Sequence, residues 1–365
     1  MKLKGVSYDV GSVMYFNWRP DFDPNTVSRE IEITKNDLHC NAIRITGLDI
    51  KRLIVATEIA LKQGLEVWLC PTIWNRKQDQ TLAYTQRVAE SAEKLRREYP
   101  ERLVLVVGGE LTLFMNGIVE GRNVVERMTK LMTKYKQQEN HTGQVNFVEG
   151  ISRLRSAEHS RILRAYLQKT VASVKQVFHG KITYASLLWE SVDWNLFDFV
   201  GVDHYRVERI KDQYAEMLKP AFEYGKPVVV TEFGVRTYKG AEINGAGLGG
   251  IIVDSKSQYF HSLPVIGRFI RPKLIGNHLR DEGLQARELL DQLCVLDKAG
   301  VYGAFVSGFV SQIDPYDEKP RYDLDLASMS LVKTYSRGRH GATYPDMNWE
   351  PKESFRAIAD YYAKN

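Results

Sequence analysis

The sequence predicts an α/β fold, a (β/α)8 TIM barrel formed as one domain over residues 1–365, with insertions at about 113–156 and 240–277, after strands four and seven. Eight short apolar runs alternate with amphipathic segments, and a parallel sheet needs a crossover helix for each step. Polar residues close several of those runs, as they do at the open face of a barrel. An open doubly wound sheet is the alternative. It is disfavoured because no Gly-x-Gly-x-x-Gly turn follows any of the runs.

Gly5 to Val10 reads as the first strand, and after an aromatic loop around Phe16, Trp18 and Phe22 a helix is expected from about Asn25 to Leu38. Asn41 to Gly47 is the second strand. Asp49 caps a helix with Leu53, Ala56, Ile59 and Ala60 at helical spacing, and Gly64 ends it. Glu66 to Trp74 is the third strand, and the amphipathic helix from about Gln80 to Tyr99 stops at Pro100. The fourth strand starts at Leu103 and ends at Glu110. Residues 113–156 are irregular and polar, too long for a simple connection. Helical spacing returns from Ser160 to Phe178, followed by strands at Ile182–Trp189 and Phe199–Tyr205. A helix is expected from about Lys211 to Tyr224, then a seventh strand from Pro227 to Glu232. A helix from Asp281 to Ala299, an eighth strand from Val301 to Val310 and a closing helix from Lys352 to Tyr362 complete the barrel.

Composition narrows the function classes. With 44% hydrophobic and 26% charged residues and no apolar run near about 18 residues, no membrane segment is expected. The N-terminus passes from Met1-Lys2-Leu3-Lys4 into a strand without the apolar core of a secretory signal, so the cytoplasm is the expected compartment. Cys40, Cys70 and Cys294 are odd in number and far apart, which suits reduced core thiols. A net charge of +5 is mild, and the densest basic stretch, Arg127 to Lys136, reads as a solvated helix face, so no nucleic-acid partner is expected. No histidine pair has metal-ligand spacing, and neither metal nor cofactor is expected.

The chemistry lies at the strand ends, which a barrel gathers on one face. By period-two alternation Glu110 shares a face with Val104, Val106 and Gly108, and Glu232 with Val228 and Val230. Both carboxyls are therefore expected at the barrel mouth. Arg44, aligned with Ala42 and Thr46, would hold one glutamate ionised while the other keeps a raised pKa and its proton; pairing with Asp9 is its structural alternative. Such a division of labour suits glycosidic cleavage, with one carboxylate attacking the anomeric carbon and the other protonating the departing oxygen. Asp203 and Glu190 are candidates for sugar hydroxyls or for capping, Trp74 for stacking on a sugar ring, and His204 for structure.

Glutamates ending strands four and seven, an arginine ending strand two, and Asp198-Phe199-Val200-Gly201-Val202-Asp203-His204-Tyr205 on strand six together resemble the retaining glycoside hydrolase clan with a (β/α)8 barrel. Trp349-Glu350-Pro351-Lys352-Glu353-Ser354-Phe355 is similar to the segment leading into the last helix of such enzymes. The resemblance implies Glu110 as acid/base, Glu232 as nucleophile, Arg44 as support and Tyr205 as hydroxyl donor to the nucleophile, acting on a carbohydrate substrate. Gly109 stands where many clan members have an asparagine for the sugar 2-hydroxyl, and strand eight lacks their tryptophan, a place that Phe305 or Phe309 is expected to take. Nearly the whole chain also resembles bacterial proteins labelled abortive phage infection proteins. The alternative function is an inactive barrel that binds carbohydrate or serves in phage defence.

Overall fold

A computed structural model describes residues 1–12, 17–136, 151, 154–155, 157–245, 252–261, 263, 267–336 and 338–365. Phe16 and parts of both expected insertions lie outside the described residues. Eight strands form a closed barrel in chain order, as the apolar runs predict: β1 (Leu3–Asp9), β2 (Ala42–Gly47), β3 (Glu66–Pro71), β4 (Leu103–Gly109), β5 (Lys181–Leu187), β6 (Val200–Asp203), β7 (Val228–Phe233) and β8 (Gly303–Val306). Closure comes from parallel pairing of β1 with β8, from Leu3 opposite Gly303 to Val6 opposite Val306. That register needs Gly5, because a Cβ there would stand 2.3 Å from the Phe305 ring.

The intervening helices follow their local signals. α1 (Pro24–Asn36) starts at Asp23, α2 (Ile50–Lys62) is capped by Asp49 accepting from the Arg52 amide, and α3 (Gln78–Glu98) ends before Pro100. The irregular reading of 113–156 needs correction. Its described residues include the end of α4 (Leu111–Phe114) and all of α5 (Val124–Lys136), ahead of α6 (Glu158–Val174). Arg127 is not on a solvated face either. It is fully buried and donates to Leu113 O, Gly121 O, Asn116 and Asn75.

No continuous helix follows β6. The expected span holds 3₁₀ turns at Glu208–Gln213 and Glu216–Leu218 and one helical turn, α7 (Lys219–Phe222). Pro220 accounts for the break, since it lacks an amide hydrogen and its ring collides with the preceding turn, so it is tolerated only where a helix starts. Beyond β7 lie α8 (Ala241–Asn244), α9 (Ser255–His261) and α10 (Glu282–Lys298), the last capped by Asp281. A two-stranded antiparallel sheet of β9 (Val332–Thr334) and β10 (Trp349–Pro351), which the alternation of strands and helices does not predict, precedes α11 (Glu353–Lys364).

Packing distinguishes two compact units. The first comprises Met1–Ile43, Tyr205–Tyr214 and Glu232–Asn365, and the second Arg44–His204 and Ala215–Thr231. The first unit's core is aromatic: Phe309 meets Trp349 edge-on at 5.4 Å and lies near Tyr8 and Phe355. Glu30 is buried among these rings and accepts from Tyr8 Oη, Arg19 Nη2 and Trp349 Nε1 at 2.5, 2.8 and 3.0 Å. A buried carboxylate persists only when its lone pairs are met in this way. The second unit's core is largely aliphatic, with Trp68 packed on Phe199 at 5.0 Å. Cys40 and Cys70 are buried free thiols, and Cys294 is half-buried.

Candidate active site

In the second unit, β4 carries the first glutamate. Val106 pairs with Thr183 but Gly109 pairs with Ala185, so β4 bulges by one residue, with Gly108 at φ +158°. The bulge cancels the alternation that assigns Glu110 to the Val106 face. Glu110 is instead aimed by its own backbone, which is left-handed at φ 49° and ψ 40° and tied by its amide to Ala185 O at 2.9 Å. A non-glycine residue in this region costs about 1 kcal/mol or more, and such conformations gather at functional sites.

The segment after Glu110 is anchored from below. Leu111 N donates to Tyr184 Oη at 2.8 Å, while Thr112 N and Oγ1 donate to Glu190 Oε1 at 2.9 and 2.7 Å. Tyr184 Oη and Leu187 N donate to Glu190 Oε2 at 2.9 and 3.0 Å. Glu190 is thus a buried brace with both oxygens engaged, the capping alternative rather than a sugar ligand. Burial raises its pKa, and its four donors act against that shift.

Arg44 is buried at the Gly109 end of β4. A Cβ on Gly109 would lie 3.8 Å from its Nη2 and 3.3 Å from the Ala185 Cβ, and Nη2 also donates to Cys70 Sγ at 3.2 Å. Trp74 stacks on Phe114 at 4.0 Å, making a half-buried flat surface past β3. Asp203, at the end of β6, accepts from Thr231 Oγ1 at 2.6 Å, and a carboxylate oxygen of Asp203 lies within 4.8 Å of one on Glu110. Carboxylates alone supply the metal-ligand types here, with no histidine or cysteine among them.

In the first unit, Glu232 is the fifth residue of β7 and half-buried. Tyr205 donates its hydroxyl to Glu232 Oε2 at 2.5 Å and shares a hydrogen bond with Ser307 Oγ at 2.8 Å. A lone serine inside the expected eighth strand carries no local signal, so Ser307 emerges only from the fold. It is fixed by its amide on Phe233 O at 2.8 Å. Asp9 ends β1 and accepts from Gly11 N at 2.5 Å; burial pushes its pKa up to about 6 despite that bond and the field of Arg19. Phe309 and Phe305 need correction as sugar floors. Both are fully buried, Phe305 within β8 against Gly5 and Phe309 in the aromatic core, where its amide donates to Ser7 O.

The raised Asp9 carboxyl has a consequence for stability. Its folded pKa exceeds the unfolded value of 3.8, so the native state binds the proton more tightly and this group favours folding most below about pH 4. That contribution is lost as pH rises through about 6, and Asp314, raised likewise to about 6, adds to the same trend. One pKa unit corresponds to about 1.4 kcal/mol. Denaturant unfolding of Asp9→Asn against the unchanged protein should show the pH 4 to 6 slope reduced by roughly 1–2 kcal/mol over that range.

No protein-family model matches the chain, and no curated protein sequence matches it. Solved structures share its fold at low identity. A GH113 β-1,4-mannanase aligns over 100% of this chain and 99% of its own, with 12% identity and a TM-score of 0.57. A GH113 β-mannanase from Alicyclobacillus acidocaldarius aligns over 99% and 97%, with 12% identity and a TM-score of 0.55. The β-glucuronidase 2 of Bacteroides uniformis matches at 15% identity and a TM-score of 0.54, covering all of this chain but 35% of that enzyme. At these identities the likeness establishes the barrel and leaves the chemistry to the site.

Proposed function

We propose that the chain is a retaining glycoside hydrolase, with Glu232 as nucleophile and Glu110 as acid/base. The observation that carries this reading is a short relay of contacts. Glu110 approaches Asp203, Asp203 binds Thr231, and Thr231 is followed on the same strand by Glu232, whose carboxylate Tyr205 holds at 2.5 Å. In the first step Glu232 attacks the anomeric carbon while Glu110 protonates the glycosidic oxygen, and the alcohol departs. In the second, the Glu110 carboxylate takes a proton from water, whose oxygen displaces Glu232 and restores the original configuration; an alcohol in place of water gives transglycosylation. Tyr205 and Ser307 orient the nucleophile, and Trp74 with Phe114 offers a ring surface. The substrate is an oligosaccharide or small glycoside, a class consistent with the mannanases and glucuronidases that share the fold.

Gly109 favours a second reading, a barrel that binds sugar or serves in phage defence without turnover, since it brings no amide to a sugar 2-hydroxyl. Activated fluoro-glycosides discriminate the two. A mass increment of one glycosyl unit on the peptide bearing Glu232 is expected, and an unmodified protein across gluco, galacto and manno reagents would leave only the binding reading. Tyr205→Phe removes one charge-assisted hydrogen bond and should lower kcat about 10- to 100-fold with little change in KM, read from steady-state kinetics.

A further inference from the structure

Among the described residues of the first unit, three arginines are more than nine-tenths buried: Arg19, Arg206 and Arg236. Two of them are neutralised. Arg19 meets Glu30 at 2.8 Å, and Arg206 meets Glu288 at 2.7 Å and Asp291 at 2.6 Å. Arg236 has no ion pair among the described residues. It is 8% exposed, and its one hydrogen bond runs from Nη1 to the Gly245 carbonyl. Nε and Nη2 form no bond there.

A cation removed from water without a countercharge costs several kcal/mol. A fold retains one at little loss where an anion arrives with the ligand. Arg236 lies four residues beyond Glu232, in the loop leaving the carboxyl end of β7, and the Tyr205 hydroxyl that holds Glu232 acts on it electrostatically. Asp314 acts on it too, without reaching ion-pair distance, and its carboxyl takes the Ser311 hydroxyl at 2.8 Å. The guanidinium keeps donors at Nε and Nη2, the edge that matches the two oxygens of a carboxylate.

We propose that Arg236 binds the carboxylate of the sugar unit that Glu232 attacks, so that the substrate is a uronide rather than a neutral glycoside. This rests on the hydrolase reading above. A carboxylate on the ring carbon beside the ring oxygen lies within one sugar ring of the anomeric carbon, and Arg236 follows the nucleophile by four residues in the loop beyond β7. The positive charge is met when substrate binds, and neutral sugars leave it unmet.

The test uses 4-nitrophenyl uronides and their matched neutral hexosides and hexoside 6-phosphates, in gluco, galacto and manno configuration, with the full chain and its Arg236→Gln variant. For the turned-over configuration, kcat/KM on the uronide should exceed that on the hexoside at least about tenfold, and Arg236→Gln should lower it about 100-fold on the uronide while changing the hexoside less than about threefold. A hexoside used as well as the uronide, a preference for the 6-phosphate, or an equal loss on both substrates in the variant overturns the proposal and leaves the hydrolase reading intact. Thermal unfolding of the unchanged protein gives an independent readout that needs no variant. Free uronates should raise the midpoint where neutral hexoses do not, and equal shifts count against Arg236. A uronate-specific shift with no turnover of any glycoside and no adduct on Glu232 keeps the Arg236 site and removes the hydrolase reading.

Discussion

Glu232→Ala is expected to lower kcat/KM by about 10⁴-fold or more, because in the proposed mechanism it removes the atom that forms the covalent intermediate. The variant should still fold. Glu232 is half-buried, and the Tyr205 hydroxyl keeps Ser307 Oγ at 2.8 Å as a partner. Its thermal midpoint is therefore expected within a few degrees of the unchanged protein. Added azide should restore part of the rate by occupying the space left by the carboxylate, and the glycosyl azide formed should have inverted configuration. Retained hydrolysis in this variant would exclude Glu232 as nucleophile.

Glu110→Ala should act according to the leaving group. General acid help contributes about 10² to 10⁴ in rate, so glycosides of poorly acidic alcohols should lose that factor while activated aryl glycosides lose far less in the first step. With activated substrates the second step becomes limiting, and a burst followed by accumulation of glycosyl-enzyme is expected. Azide then attacks from the side normally taken by water and should give a product of retained configuration. Opposite stereochemical outcomes for the two variants separate the roles without assuming either. Equal losses on good and poor leaving groups would remove the acid/base role from Glu110. The left-handed conformation of Glu110 and its brace on Glu190 set a further condition, since the carboxyl must be aimed by backbone rather than by strand alternation.

The barrel, its strand positions and the residues at its strand ends were legible in the chain, because aliphatic runs, helix caps such as Asp49 and Asp281, and the stop at Pro100 act over a few residues. Glu232 and Tyr205 were legible for the same reason. Their approach to 2.5 Å follows once adjacent strands are aligned. Pro220 is an equally local signal, and it limits the helix expected over 211–224 to the single turn of α7 after 3₁₀ turns.

What only the tertiary structure decided is where each polar group spends its bonds. The bulge at Gly108 depends on the register between β4 and β5, and it overrides the alternation that the sequence suggests for Glu110. Glu190 reads in sequence as a sugar ligand or a cap, and residues up to 78 positions away occupy its two oxygens. Phe309 reads as a strand-end platform and is core. Arg19, Arg206 and Arg236 are the same residue type in unremarkable sequence, and only the fold pairs the first two and leaves the third without an ion pair among the described residues. Local composition sets backbone elements because propensity and capping are short-range; the assignment of hydrogen bonds and charges is long-range, and it arises when the chain has closed on itself.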